Sequence, residues 1–173
     1  MASTATNPKW RKKVNITYEE YFNPPWFIPH KGIVKIAKEL EKELGKEKAH
    51  QIVSRCADEL ATSNMSAREG PPKEIMEAWR KLIEPTSPIF AHALETEFID
   101  DTPHTVKMRV KECLWAESFR EMGAADIGFL WECKTDYAAA TAFHPKLKLW
   151  RDKTLMQGDD CCEFCWTWEE DDK

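Results

Sequence analysis

The tightest constraint on the fold lies in the last fifth of the chain, Lys146 to Trp168, reading KLKLWRDKTLMQGDDCCEFCWTW. Two runs that suit extended backbone flank the turn-forming cluster Gln157-Gly158-Asp159-Asp160, so this stretch is predicted to form a β-hairpin. Side chains alternate across a strand. Cys162, Phe164, Trp166 and Trp168 should therefore share one face, and Cys161, Glu163, Cys165 and Thr167 the other. The first face is aromatic and carries a thiol, which makes it the face expected to meet a core and to converge on a site.

At 173 residues and 42% hydrophobic content the chain can bury a substantial core without crosslinks. Residues 1–15 are polar and predicted mobile, and 16–173 are predicted to form one domain. The net charge of −5, with Lys and Glu interleaved along the polar faces, argues against a nucleic-acid partner, since phosphate binders concentrate basic charge. No run of eighteen apolar residues exists and no apolar segment follows the basic residues of MASTATNPKWRKKV, so neither a membrane span nor a signal peptide is expected. A cytoplasmic location follows as an expectation, and with it reduced rather than disulfide-bonded cysteines. Cys162 and Cys165 spell CxxC, yet in a strand they point to opposite faces, which makes a poor metal knuckle.

Taken in order, TYEEYFNPPWFIPHKG gathers Tyr18, Tyr21, Phe22, Trp26 and Phe27 around three prolines that forbid a continuous helix. It reads as an aromatic arm that covers an apolar flank of the domain or meets a partner protein or second copy, with a lid over a ligand as the alternative. From Ile33 the spacing turns helical: Ile33, Ile36, Ala37, Leu40 and Leu44 make one stripe, and Gly45 serves as C-cap. A second helix repeats the pattern with Ala49, Ile52, Val53, Cys56, Ala57 and Leu60, so Cys56 reads as a buried, inert thiol and His50 as a solvated helix residue. A third, PKEIMEAWRKLIE, starts with Pro72 in its first turn and turns Ile75, Trp79, Leu82 and Ile83 inward.

Beyond Pro85 and Pro88 the character becomes extended. HALETEFID, a turn at Asp100-Asp101-Thr102-Pro103 and HTVKMRVKEC read as a second hairpin, with Val106, Met108 and Val110 on the apolar face. Then a helix is expected over roughly 114–122 stopped at Gly123, a short helix near 124–130, a strand or loop through Cys133, and an Ala-rich helical turn at 136–142. The fold class is α+β: N-terminal helices packed on a small antiparallel sheet of β-hairpins.

With these elements laid out, VKECLWAESFREMG (110–123), IGFLWECKTDYAAA (127–140) and LWRDKTLMQGDDCCEF (149–164) together resemble the L-2-amino-thiazoline-4-carboxylic acid hydrolase family. The closing Gly-Asp-x-x-Cys-x-Phe is also similar to four-vinyl-reductase-type ligand-binding domains, a likeness at the level of fold. The chain departs from the family pattern in its Trp- and Pro-rich entry segment, in Cys161 and Cys165, and in its acidic end. The resemblance places Cys113, Glu117, Cys133, Asp136, Arg151, Gly158, Cys162 and Phe164 at family positions. It implies a small hydrolase acting on a C–N or C–S bond of a heterocycle or amino-acid-like compound. Cys133 or Cys162 could attack covalently if its proton affinity is lowered, Glu117 or Asp136 could move protons, and Arg151 could hold a substrate carboxylate in a fork beside Phe164, with Cys113 completing the catalytic group.

Each assignment has a plainer structural alternative. Asp136 could simply cap the helix ahead of YAAAT, Arg151 could be a surface charge, Glu117 could face solvent and His144 could be a loop residue. No cofactor is expected, although Cys113, Cys133, Asp136 and Cys162 would offer zinc three thiolates and a carboxylate. From another functional class, the same fold could serve as a non-catalytic small-ligand-binding or accessory subunit.

Overall fold

The computed structural model describes residues 27–84 and 93–170. The aromatic arm, up to Trp26, lies outside the described residues. Helix α1 spans Phe27–Leu44, six residues earlier than the spacing from Ile33 predicts, because Pro29 falls in the first turn, where backbone N–H groups have no intrahelical partner to lose. Gly45, at φ 80°, separates it from α2, Lys46–Ser63, and α3 follows as Pro72–Ile83.

Helices α1 and α2 meet through small residues. Ala37, Ala49, Val53 and Ala57 are buried, whereas Ile36, Leu60 and Cys56 are exposed. The predicted stripe was therefore too wide, and the buried-thiol reading of Cys56 is corrected: close helix approach over alanines leaves the larger members of the stripe at its rim. Leu82 of α3 is likewise exposed, while Ile75, Met76 and Trp79 carry the burial.

Strands β1 (Leu94–Thr102) and β2 (Thr105–Cys113) form the first hairpin, turning at Pro103-His104, so β1 runs through the acidic residues assigned to the turn. Strands β3 (Leu147–Trp150) and β4 (Cys162–Trp168) form the second. The sheet order is β1-β2-β4-β3, every neighbour antiparallel. Val106 lies opposite Trp166, Met108 opposite Phe164, Val110 opposite Cys162, and Leu147 opposite Trp168. Directly opposed residues share a face, so this register builds one continuous apolar surface. Onto it pack Ile75, Met76 and Trp79 of α3 together with Ala140 and Phe143 of α6, Thr135–Phe143. On the other face, Arg109 and Glu163 are opposed and joined by an ion pair of 3.2 Å.

Between the hairpins run α4 (Leu114–Glu121), a single turn α5 (Ala125–Gly128) and a π-turn, Phe129–Cys133. The expected strand or loop at Cys133 is thus a widened helical turn, closed by Lys134 N–H donating to the Phe129 carbonyl at 2.8 Å. A second core joins these segments to α1 and α2 through Ala37, Val53, Phe119, Ile127 and Met156. Residues 155–157 form a 3₁₀ turn that leads into β4. Among the described residues, no helix is long and apolar enough to cross a membrane.

Candidate active site

The seam between the two cores gathers the predicted residues from four separate elements. Cys113 ends β2 and occupies the N-cap of α4, where its Sγ accepts the Ala116 N–H at 3.5 Å. Cys162 opens β4, and its Sγ accepts the Leu155 N–H at 3.2 Å. Cys133 closes the π-turn, and Asp136 sits in the first turn of α6.

Arg151, just past β3, ties these pieces together. Its Nη1 donates to Asp136 Oδ2 at 2.6 Å and its Nη2 to the Cys133 carbonyl at 2.5 Å. The guanidinium lies 4.8 Å from the Phe164 ring centroid and 5.2 Å from that of Tyr137. With only 1% of its side chain exposed, Arg151 is no surface charge. Asp136 makes no capping hydrogen bond to the start of α6, so the helix-cap alternative also gives way: its carboxylate serves the arginine.

Electrostatics describe the chemistry of the cluster. Burial pushes the Cys113 thiol up to about 12, outweighing the backbone N–H that would favour the thiolate, with Cys162 and Glu132 adding to the rise. Burial raises Cys133 as well, with Asp136 beside it adding to the rise and Arg151 opposing it. Cys162 is raised, again chiefly by burial, against the Leu155 N–H and Arg151. The three thiols and Asp136 thus feel one another, but at neutral pH the thiols keep their protons. Burial also lifts Asp136 to about 6 in spite of Arg151. Its side chain keeps 38% of its surface exposed, so water offsets part of that push. Arg151 itself is held charged: burial disfavours the cation, and the charge and hydrogen bond of Asp136 more than compensate.

Glu117 shares the first turn of α4 with Ala116 and is half-buried, so it does not simply face solvent. The acidic residue that the sequence reading passed over is Glu132, next to Cys133 on the π-turn. Its Oε1 lies 2.9 Å from Nε2 of His30, a 4% exposed histidine of α1 whose ring packs 5.0 Å from Phe119. No spacing rule links positions 30 and 132, and only the helical reading of the π-turn would have turned Glu132 inward. His144 is the loop residue expected, accepting the Lys146 N–H and packing on Trp168.

A zinc tetrahedron would bring its ligand atoms within roughly 4 Å of one another. No three of Cys113, Cys133, Asp136 and Cys162 have ligand atoms mutually within 4.8 Å, so these residues do not fit the proposed zinc set. Among the described residues, the group that meets this limit is Glu41, His50 and Asp126. Its carboxylates are already paired: Lys38 lies 3.1 Å from Glu41 and Lys46 lies 2.5 Å from Asp126. His50 bonds Glu41 at 2.8 Å and so is not merely solvated. An open groove of about 900 Å³ runs beside it along α2, past His50, Ser54 and Asp58 to Leu130.

Cys113, Cys133, Asp136, Arg151 and Cys162 come from elements of both cores, and the family model described as L-2-amino-thiazoline-4-carboxylic acid hydrolase matches residues 28–166. The chain belongs to the L-2-amino-thiazoline-4-carboxylic acid hydrolase family. That match spans both cores of this hydrolase-family chain and every residue of the cluster, His30 and Glu132 included. No curated protein sequence matches the chain. Among solved structures, the phenol-responsive sensory domain of the transcription activator PoxR, determined with phenol, is similar with a TM-score of 0.48 at 12% identity, covering 79% of this chain and 73% of that one.

Proposed function

We propose that this member of the hydrolase family opens a small, cyclic amidine-like compound of the 2-aminothiazoline-4-carboxylate type by adding water across a C–N or C–S bond. The observation that carries the reading is the Asp136 carboxyl, raised to about 6 yet fixed by a buried Arg151, in a cluster of protonated thiols. A base near neutrality is what water activation needs. Asp136 takes a proton from water as the oxygen bonds to the amidine carbon, and returns that proton to the sulfur or nitrogen that leaves. The sum is one water added and one ring bond broken.

Under this reading Cys113, Cys133 and Cys162 act as neutral S–H groups that line the site and donate to the leaving atom. Direct thiolate attack, the other use of these cysteines, would first require a base to remove a proton that burial holds tightly. Arg151 keeps one donor in reserve: its Nε–H is buried and has no hydrogen-bond partner. A substrate carboxylate is a fitting acceptor for it, with Phe164 stacked on the guanidinium.

The test is turnover of 2-aminothiazoline-4-carboxylate and related heterocycles, followed by release of a free thiol or amine. Asp136→Asn should lose on the order of 10²–10⁴ in kcat, the scale of positioned acid–base catalysis. Cys133→Ser and Cys162→Ser, which keep a neutral donor, should retain more than Asp136→Asn does. A folded protein inert on the whole panel would sink the reading and favour the binding-subunit alternative.

A further inference from the structure

His30 and Glu132 lie 102 positions apart in sequence and meet at 2.9 Å beside the active site. Three observations bear on why. First, the pair is buried on the histidine side, at 5% side-chain exposure against 28% for Glu132. Second, a carboxylate only accepts hydrogen bonds, so Nε2 carries the proton that bridges the pair. Nδ1 is then left as a buried atom without a hydrogen-bond partner. A buried histidine bonded on one side only is uncommon for a group that merely fills space. Third, Glu132 stands in a π-turn whose end is clamped from both directions. Arg151 holds the Cys133 carbonyl, and Thr135 Oγ1 donates to the Glu132 carbonyl at 2.6 Å.

We propose that His30 is a positioning residue that fixes the Glu132 carboxylate at the edge of the Cys113–Asp136–Arg151 cluster, where it stands as a fixed negative charge of the site. The inference rests on the hydrolase reading above and deepens it. The charged and titratable groups around Glu132 are His30 from α1, Cys113 from the end of β2, Asp136 from α6, and Cys133 and Lys134 next to it in sequence, with Arg151 reaching the Cys133 carbonyl. Lys134 is already engaged with Asp58 of α2 at 2.6 Å, so it is not Glu132's partner. Glu132 is one of the charges that raise both Cys113 and Asp136. A carboxylate swinging in solvent would have little such effect. The hydrogen bond from His30 is what holds it in range.

A four-way comparison tests this. The Asp136 titration is followed by ¹³C-carboxyl NMR, which needs no turnover, in wild type, Glu132→Gln, His30→Phe and the double variant. Phenylalanine keeps the ring packing against Phe119 and removes the hydrogen bond. Glu132→Gln should lower the Asp136 midpoint by on the order of half a pH unit, the scale of one charge acting through partly solvated protein. His30→Phe should lower it as far, and the double variant no further, whereas His30→Gln, which can still donate to Glu132, should stay near wild type. The acid limb of the pH–kcat profile should move in parallel.

An Asp136 midpoint unmoved by Glu132→Gln overturns the proposal. So does a Glu132→Gln effect that persists in full in the His30→Phe background. Glu132 is partly exposed, so its variant remains informative if the His30 variants fail to fold. The expected titration pattern in a protein that hydrolyses nothing supports the pair and counts against the hydrolase reading alone.

Discussion

Arg151 and Asp136 form a charge pair of opposite character: the cation is 1% exposed and the carboxylate 38%, with 2.6 Å between Nη1 and Oδ2. The arginine has surrendered its water and the aspartate has not. Most of the cost of breaking the pair therefore falls on whichever partner stays behind in the protein. An orphaned Arg151 would be worse than an orphaned Asp136, because only the aspartate can turn to solvent or take up a proton.

Arg151→Met should accordingly destabilise the fold by about 2–3 kcal/mol at pH 8, below the cost of breaking a fully buried pair because Asp136 is part-solvated. Near pH 4.5 the loss should shrink as Asp136 protonates. Adding Asp136→Leu should recover much of it, since an apolar pair of similar volume needs no desolvation. Urea titrations of the three proteins at both pH values measure this, and equal losses at the two pH values would contradict it.

Asp136 also makes a signed prediction for stability against pH. Its folded value, about 6, lies above its ordinary value of 3.8. Between the two, the folded chain holds a proton that the unfolded chain has released. The stabilising contribution is therefore full below pH 3.8 and is lost as pH rises through about 6. Glu41 and Asp126, both held below the usual carboxylate range, act in the opposite direction at lower pH. The test is thus the difference between wild type and Asp136→Asn, whose urea midpoints should separate progressively between pH 4 and 7.

Thiol reactivity should follow burial. Cys56 is exposed, whereas Cys113 and Cys133 are half-buried, Cys162 is buried, and burial raises the proton affinity of all three. Iodoacetamide at pH 7.5 should modify Cys56 first, and the three site cysteines should react at a comparable rate only in denaturant. Peptide mass spectrometry over a time course reads the order. Early modification of Cys133 would overturn the protonated-thiol description.

Gly128 closes α5 against Phe119 and Met156. A methyl group there would lie 2.5 Å from the Phe119 ring, 2.7 Å from its Cβ and 2.8 Å from the Met156 sulfur. Gly128→Ala should destabilise by about 1–3 kcal/mol, the usual range for overpacking, despite alanine's better helix propensity. A thermal melt checks it, and an unchanged or raised Tm would contradict it.

Much of this was legible in the residues themselves. The alternation in TVKMRVKEC of β2 and in CCEFCWTW assigned the apolar face correctly, because strand geometry leaves no freedom once one face is buried. The helical half was less legible: Ile36, Cys56 and Leu60 fit the stripe of the sequence but not the contact, since alanine-on-alanine packing narrows the buried face to what lies directly between the axes. The π-turn at Phe129–Cys133 was not legible, having no periodicity of its own. With it went Glu132 and its partner His30. Asp136 and Arg151 were visible as residue types, but their pairing depends on β3 delivering residue 151 to the start of α6, a long-range consequence of sheet order.

That order, β1-β2-β4-β3, carries a consequence for biosynthesis. The strand that holds the sheet together follows all the others along the chain, so β1-β2 must leave the ribosome and wait for residues 162–168 before the sheet can close. Contacts of such high sequence separation form late and slowly. Until β4 inserts, Cys162 is absent from the seam and the apolar faces of β2 and β3 lack their shared neighbour. Nascent chains stalled before residue 162 should therefore be the species most in need of a chaperone, and they should lack the completed thiol cluster.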